Sequence, residues 1–392
     1  MNTNTIKHQK HTKLARPDVG EFGRNEWAIL GTVCNDIKAI SYQIINQLQS
    51  DFNLAYIDAD HQSAENVTDT SKNATSFGAT LEYTDKISFH RFDEARMLNK
   101  FQFRQYFNSQ DGILINGNHF TGQQQIVVID ERKEQSLKKK LDRLTNVRLF
   151  ILTENQTEIY SFLKNHLPNW QRIPTVGIKD SAAITSFIKQ GIEANKPAVH
   201  GLVLAGGKSQ RMGYDKGLIN YHGKPQREYL YDLLGGYCDK VYMSCRPEQA
   251  ETLRDFSLIP DTFHDLGPFG GILSAFRQNP NVAWLVVACD LPFLDKAAIQ
   301  ELLDKHNYSN NATAYYNEST GFPEPLITIW QPRSYPVLLQ YLAQGYSCPR
   351  KVLINSAINL VYPSRPEVLK NINHPQEAEE VLMHFAKLDK EQ

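Results

Sequence analysis

The chain has 392 residues, more than a single hydrophobic core usually serves, because chains longer than roughly 250–300 residues divide into domains. Its 41% hydrophobic and 22% charged residues are typical of a globular protein and exclude a largely disordered, collagen-like or coiled-coil chain. A formal net charge of -1 at pH 7 excludes a global positive field that would attract nucleic acid or a membrane, so any anion must be bound locally.

The first 24 residues are polar and basic, which predicts a tail outside the folded domains. They lack the apolar run of a signal peptide, and no apolar stretch of about 18 residues predicts a membrane span. The five cysteines are widely spaced without a Cys-x-x-Cys pair, which favours a reducing compartment over a disulfide framework or a zinc knuckle. We therefore expect a cytoplasmic protein.

Residues 25–195 alternate short β-rich runs with longer amphipathic runs, a pattern that predicts parallel strands and crossover helices. Four apolar residues at helical spacing indicate the first helix: Ile37, Ile40, Ile44 and Leu48. The strands are predicted at Trp27–Leu30, Leu54–Ile57, Ile87–His90, Gly112–Ile115, Ile126–Ile129 and Arg148–Leu152. A polar stretch with a proline at 193–197 then predicts a domain boundary.

The α/β alternation resumes over residues 196–392 and predicts a second, Rossmann-like doubly wound domain. Its strands are predicted at His200–Leu204, Lys240–Ser244, Ala283–Ala288, Ala312–Tyr316 and Leu326–Trp330. Its helices are predicted at Gln226–Leu234, Gly270–Phe276, Lys296–His306 and Pro375–Leu388. The expected fold class is thus α/β with two domains, 25–195 and 196–392.

A glycine-rich loop follows the first strand of the second domain. Gly206 and Gly207 lack a Cβ, which would let the backbone turn sharply and bring its N–H groups against phosphate. The same loop carries three cations, Lys208, Arg211 and Lys216. It matches neither the P-loop pattern nor Gly-x-Gly-x-x-Gly, so it predicts a polyphosphate site of another kind, the alternative being a tight turn with solvated basic residues.

A carboxylate follows the apolar strand Ala283–Ala288. Open α/β sheets bind ligands at the carboxyl ends of their strands, so Asp290 is well placed to hold Mg²⁺ on a nucleotide. An isolated aspartate would more often cap a helix or close a turn. The phosphate loop on the same sheet favours the metal site.

These residues resemble the molybdenum cofactor guanylyltransferase family, over about Val199–Ala386. The matching motifs occur in the family's order: Leu204-Ala-Gly-Gly-Lys-Ser-Gln-Arg-Met-Gly213 with Asp215-Lys216-Gly217, Pro260-Asp261, Gly267-Pro-Phe-Gly-Gly271, Cys289-Asp290-Leu-Pro292 and Asn371-Ile-Asn-His-Pro-Gln-Glu377. The resemblance implies transfer of GMP from GTP to molybdopterin, with or without molybdenum, with release of pyrophosphate. Mg²⁺ is the implied cofactor.

The resemblance also implies a role for individual residues. Nucleotide contacts are implied for Leu204, Ala205, Gly206, Gly207, Lys216, Asp261, Gly267 and Asp290. Catalytic roles are implied for Arg211, Lys216 and Asp290, with Asp290 as the metal ligand, and Asn371 and Asn373 would lie near the pterin substrate or the metal. A turn role for Asp261 and a backbone-capping role for the two asparagines stay open. Met243 and Ser244 stand where the family often has asparagine, so that nucleotide contact is unassigned.

The first domain resembles the molybdopterin-guanine dinucleotide biosynthesis adaptor protein, a P-loop protein, at Ile29–Ile40 and at Asp111–Asn118 followed by Gln125–Ile129. Of the loop's residues only Gly31 remains. Three positions are changed: Asp36 replaces the second glycine, Ile37 the lysine and Lys38 the Ser/Thr. The resemblance therefore implies a P-loop-like fold, and the replaced residues predict that it has lost its nucleotide chemistry.

Two alternatives to guanylyl transfer stay open. The same loop chemistry serves cytidylyl transfer to molybdopterin and nucleotidyl transfer to sugar phosphates, although the glycine pair after Leu-Ala favours the guanylyl branch. The chain could also be a noncatalytic molybdopterin carrier or scaffold, which would need neither Lys216 nor Asp290. The expected partners are GTP and molybdopterin, without nucleic acid or membrane; a homodimer and contacts with molybdoenzymes or their chaperones are left open.

Overall fold

The computed structural model describes residues 14–59, 74–207 and 213–391, which divide into two compact units. The first unit is residues 19–195, and the second is residues 196–392 with the described chain up to Asp18. Asn281 holds that early segment: its side chain accepts from the Asp18 N–H at 2.7 Å and donates to the Arg16 carbonyl at 3.0 Å. Within the predicted tail, Phe22 is buried among apolar residues of the first unit. None of the described helices is both long enough and apolar enough to cross a membrane.

The first unit is α/β, as predicted. Its strands are β1 Glu26–Leu30, β2 Leu54–Ile57, β3 Leu81–Asp85, β4 His90–Glu94, β5 Gly112–Asn116, β6 Gln124–Ile129, β7 Val147–Leu152 and β8 Thr175–Gly177. Its helices are α1 Cys34–Leu48, α2 Lys100–Tyr106, α3 Glu134–Lys138, α4 Ser161–His166 and α5 Ser181–Ala194. Within the described residues the main sheet has the order β2-β5-β1-β6-β7-β8, and every pairing in it is parallel.

The predicted strand Ile87–His90 is wrong. Strands β3 and β4 form a separate antiparallel hairpin, and residues 86–89 are its turn. Ile87 adopts φ 69°, in the left-handed region that a strand residue cannot occupy, and the Ser88 N–H donates to the Lys86 carbonyl at 2.7 Å. The strand was predicted because β-branched residues such as Ile87 favour strands. The pairing of the flanking segments overrides this preference and makes residues 86–89 a turn.

The second unit is also α/β. Its strands are β9 Val199–Leu204, β10 Lys240–Cys245, β11 Leu258–Pro260, β12 Ala283–Ala288, β13 Ala312–Asn317, β14 Phe322–Trp330 and β15 Ile358–Val361. Its helices are α6 Gln226–Gly235, α7 Pro268–Gln278, α8 Lys296–Asp304, α9 Ser334–Ala343, α10 Pro349–Ile354 and α11 Pro375–Glu391. Among the described residues the sheet order is β11-β10-β9-β12-β14-β13-β15.

Strand β14 makes this sheet mixed rather than purely parallel. It runs antiparallel to both β12 and β13, because only a short turn with Gly321 at φ 72° separates it from β13. Two reversals leave β13 parallel to β12, and β15 is parallel to β13. The carboxyl ends of β9, β10, β12, β13 and β15 therefore share one edge of the sheet with the first residues of β14.

Both faces of the sheet are covered, which explains the uninterrupted apolar run of β12 and the burial of most of β9. Val203, Leu285 and Val287 pack on one face with residues of α6 and α8. Leu202, Trp284 and Val286 pack on the other face with residues of α7 and α9. The central strands are thus fixed from both sides, and the loops at their carboxyl ends start from rigid positions.

Candidate active site

A cleft of about 550 Å³ opens at the carboxyl edge of the second sheet. It brings together most of the residues singled out in the sequence: Leu204, Ala205, Gly206, Gly207, Lys216, Asp261, Gly267, Asp290 and Asn373. Lys208 and Arg211 lie outside the described residues. Asn371 lies two positions before Asn373 in the chain but is not among the residues that line the cleft. The shared location supports the predicted roles, which stay predictions.

The glycine pair serves the cleft differently from the expectation. Neither Gly206 nor Gly207 has a positive φ, so the predicted sharp turn is not the reason for glycine. Among the described residues, a Cβ on Gly207 would have no atom within 4 Å, and a Cβ on Gly206 would lie 3.5 Å from Asp261 Oδ2. The absent side chains leave free space in the cleft, and a ligand can approach the backbone closely there.

Lys216 is held in the cleft through both its backbone and its ammonium group. Asp215 accepts from the Gly217 N–H at 2.9 Å, which caps the single helical turn Lys216–Leu218, and lies 3.6 Å from the Arg227 guanidinium of α6. The Lys216 ammonium donates to Asn373 Oδ1 at 2.8 Å and lies 3.8 Å from Asp290 Oδ2. A cation is thereby fixed beside the predicted metal ligand.

Asp290 follows β12, and its carboxylate is largely buried in the cleft. Burial raises its pKa, and the nearby Lys216 ammonium only partly opposes that effect. Its Oδ1 is buried without a hydrogen-bond partner among the described residues, and so is Oδ1 of Asn371. The Ile372 N–H donates to the Asp290 carbonyl at 2.9 Å, which ties the asparagine segment to this loop. Buried, unpaired oxygens of this kind suit a hard cation.

The described residues contain no group of three or more His, Cys, Asp or Glu side chains that could hold a metal ion. A divalent ion at Asp290 would therefore take its other oxygens from amides, water or a phosphorylated ligand. Mg²⁺ commonly binds in this way, through one or two carboxylates together with substrate phosphates and water.

Asn373 differs from the backbone-capping alternative. Its side chain reaches Lys216, whereas the carboxylate of Glu377 performs the capping before α11. Glu377 Oε2 accepts from the N–H groups of Asn373 at 2.7 Å and His374 at 3.1 Å, and these two bonds lower the pKa of Glu377. Glu377 was not singled out from the sequence. Its position three residues after the turn that precedes a helix was an available signal.

Asp261 lies at the other side of the cleft, directly after β11. The buried Ser244 hydroxyl donates to Asp261 Oδ1 at 2.9 Å, while burial raises the pKa of Asp261. Ser244 therefore supports Asp261 from the position where the family often has asparagine. Arg246 and Asp265 also line the cleft without having been predicted, although each follows a strand of the same sheet.

The segment of the first unit that the sequence predicts to be P-loop-like is closed by its own side chains. The Thr32 hydroxyl donates to Asp130 Oδ2 at 2.5 Å, and the Arg132 guanidinium bridges Asp36 Oδ2 at 2.5 Å and Asp130 Oδ2 at 2.6 Å. Ile37, in the lysine's position, is fully buried in the core. The cation and carboxylates neutralise one another where a P-loop would bind phosphate, so no cation is left for a nucleotide among these groups.

Comparison with known proteins gives a consistent family for the second unit. Residues 201–359 match the family described as MobA-like NTP transferase domain. A molybdenum cofactor guanylyltransferase from Pseudomonas putida is 33% identical over 181 residues, 45% of this chain and 93% of that protein. A molybdenum cofactor biosynthesis bifunctional protein from Synechocystis is 37% identical over 187 residues, 47% of this chain. The match spans 54% of the Synechocystis protein, about half its length.

Two solved structures resemble parts of the chain. Molybdopterin-guanine dinucleotide biosynthesis protein A from Archaeoglobus fulgidus is 22% identical and has a TM-score of 0.42, covering 48% of this chain and 99% of that chain. MobB from Bacillus subtilis is 14% identical and has a TM-score of 0.33, covering 42% of this chain and 97% of that chain.

Proposed function

Because the chain belongs to the molybdenum cofactor guanylyltransferase family, we propose that its second unit transfers GMP from GTP to molybdopterin and releases pyrophosphate. The single observation that carries this proposal is the cleft in which Lys216, Asp290 and Asn373 meet the glycine pair. A nucleotidyltransferase needs such a combination of open backbone, fixed cation and metal-binding carboxylate. A carrier that performs no chemistry needs neither the cation nor the carboxylate.

In the proposed reaction an oxygen of the acceptor's terminal phosphate attacks the α-phosphorus of GTP. The bond from that phosphorus to the oxygen bridging to the β-phosphate breaks, and pyrophosphate leaves with the electron pair. Lys216 would offset the negative charge on the transferred phosphate, and Asn373 with Asp290 would keep its ammonium in position. The protein's contribution is to position and neutralise, so no covalent intermediate with the chain is needed.

Mg²⁺ fits the residues present. The unpaired buried Oδ1 of Asp290 would hold it, with the remaining oxygens from phosphate and water. When bound, Mg²⁺ would supply charge neutralisation on the triphosphate. Arg211 stays a proposed second cation on the same loop.

We expect GTP with Mg²⁺ to bind about tenfold or more tightly than CTP with Mg²⁺ in calorimetry of the full chain. Guanine presents two adjacent N–H groups that can donate to a carboxylate beside the Gly206 backbone, and Asp261 Oδ2 lies beside that glycine. Cytosine presents only one donor beside a ring acceptor. Equal affinities, or tighter CTP binding, would move the assignment to a cytidylyl or unselective enzyme.

The same titration tests the first unit. One GTP should bind per chain, because the Thr32–Asp130–Arg132 network closes the P-loop-like segment among the described residues of the first unit. A second site of micromolar affinity for GTP or ATP would contradict the lost nucleotide chemistry. Asp290→Asn, which alters only the second unit, would then identify which site persists.

We propose that the first unit serves docking rather than chemistry, with a second copy of the chain as its partner. The hairpin β3–β4 pairs with no other described strand, and a two-stranded sheet is only marginally stable alone. Its exposed side chains include Leu81, Tyr83 and Phe92, and the Tyr83 and Phe92 rings are 5.0 Å apart. Such a ribbon can add its free edges and apolar face to a copy of itself.

Light scattering of the full chain is expected to give the mass of a dimer, and of a monomer for Phe92→Asp, because a carboxylate would be buried in the paired ribbons. Tyr42→Asp, which alters an exposed tyrosine on α1, is the matched control and should stay dimeric. A monomeric parent protein would contradict the proposal. The hairpin β3–β4 would then be proposed to dock to molybdoenzymes or their chaperones.

All five cysteines are free. Burial raises the pKa of Cys238 to about 12 and that of Cys245 to about 11, so these thiols stay protonated and unreactive near neutral pH. This state suits a reducing compartment. We propose the cytoplasm, where GTP is also available.

A further inference from the structure

A second pocket lies on the edge of the sheet that carries the nucleotide cleft. It has a volume of about 240 Å³ and is lined by Tyr316, Glu318 and Tyr362 at the carboxyl ends of β13 and β15, and by Lys370 farther along the chain. Strands β13 and β15 are parallel, and β13 has the same direction as β12, whose carboxyl end leads to Asp290. The topology therefore puts this pocket and the cleft at one edge, on opposite sides of Asp290.

A short segment connects the two places. Leu369 and Lys370 line the second pocket, and Asn373 lines the cleft. Between them the Ile372 N–H is bonded to the Asp290 carbonyl. Lys370 and Asn373 are three positions apart in the chain, so their Cα atoms are at most about 11 Å apart. A ligand whose phosphate lies at Lys216 can therefore extend along this segment into the second pocket.

The lining of the second pocket suits a planar heteroaromatic ring. The Tyr316 and Tyr362 rings lie 5.3 Å apart at 53°, and Tyr362 is 58% exposed although it is large and partly apolar. Exposed aromatic faces of this kind stack on heterocycles with little dependence on sequence or substituent. Glu318 and Lys370 add a carboxylate and an ammonium group at the same pocket.

We propose that this pocket binds the pterin ring of the acceptor substrate, stacked on Tyr362, while the acceptor's phosphate lies at Lys216. This inference rests on the proposed function. A pterin carries a 2-amino-4-oxo edge with N–H donors beside a carbonyl acceptor. The carboxylate of Glu318 and the ammonium of Lys370 are complementary to those two groups. The nucleoside of GTP and the pterin of the acceptor would thus lie on opposite sides of Asp290, with the α-phosphate between them.

Steady-state kinetics on the full chain test the proposal through a split between KM and kcat. Tyr362→Ala should raise KM for molybdopterin at least about tenfold, while KM for GTP and the kcat at saturation stay within about twofold. Tyr362→Phe should retain the parent values, because stacking needs the ring and not the hydroxyl. Tyr346→Ala, which alters another exposed tyrosine of the second unit, is the matched control.

An unchanged KM for molybdopterin in Tyr362→Ala would overturn the proposal, as would an equal rise in KM for GTP. Glu318→Ala supplies a second variant on an exposed turn, and it should also raise KM for molybdopterin, if Tyr362→Ala does not fold.

A second experiment needs no turnover and follows the fluorescence of free pterin in the presence of Mg²⁺, with and without GTP. The pocket is supported if the parent protein quenches the pterin fluorescence, Tyr362→Ala weakens the quenching and added GTP leaves it unchanged. Loss of the quenching on addition of GTP contradicts the pocket. If the parent protein quenches pterin but transfers no GMP, the proposed function fails and the pocket stands.

Discussion

Asp290→Asn is expected to lower kcat at least about 100-fold while leaving the fold intact. The substitution removes one formal charge from the proposed metal site at almost constant volume, and Lys216 keeps its bond to Asn373. Rapid-quench or coupled pyrophosphate assays measure the loss. Asp304→Asn, on the exposed side of α8, is the matched control and should retain the parent rate. Near-normal turnover by Asp290→Asn would remove Asp290 from the metal site.

The same variant should not lose stability. Burial raises the pKa of Asp290, so its ionised form is disfavoured in the folded state relative to the unfolded chain. Near neutral pH the neutral amide should therefore raise the free energy of unfolding relative to the parent protein. The gain should vanish on acidification below the ordinary pKa range of aspartate, where the carboxyl is protonated in both states. Denaturant titration of both proteins at two pH values measures this difference.

Lys216→Ala is expected to lower kcat by about 100-fold or more, because it removes the cation fixed at the site of the triphosphate. In contrast to Asp290→Asn, it should also destabilise the fold by about 1–3 kcal/mol, since Asp290 and Asn373 Oδ1 lose their shared partner. Activity assays and thermal unfolding measure the two effects. Lys224→Ala, which alters a partly exposed lysine paired with Asp232, is the control. Equal losses in the two variants would mean that the charges of the loop are misassigned.

Most of the fold could be predicted from the sequence because buried strands carry their own signal. The run at β12 is apolar at every position and β9 ends in the apolar run Leu202–Leu204, since helices cover both faces of the sheet. The direction of β14 carries no such signal. A short turn at Gly321 fixes it, and its apolar run would read the same in either direction. The hairpin β3–β4 was misread around Ile87 for a related reason, because pairing between segments overrides local propensity.

The residues of the site that could be predicted are those at which contact with a ligand requires one particular residue type. Gly206, Lys216 and Asp290 are such positions, and they line one cleft. The supporting contacts were not predictable, because they join residues distant in sequence. Lys216 meets Asn373 across 157 positions, and Ser244 meets Asp261 only because β10 and β11 are neighbours. Only folding establishes such pairs.

The most direct test of guanylyl transfer is mass spectrometry of the products formed by the full chain with GTP, Mg²⁺ and molybdopterin. Molybdopterin guanine dinucleotide and pyrophosphate should appear in equal amounts, and Asp290→Asn should form neither at a comparable rate. CTP in place of GTP should give little product. Formation of the cytidine dinucleotide in preference to the guanine dinucleotide, or binding of molybdopterin without any dinucleotide, would contradict the assignment.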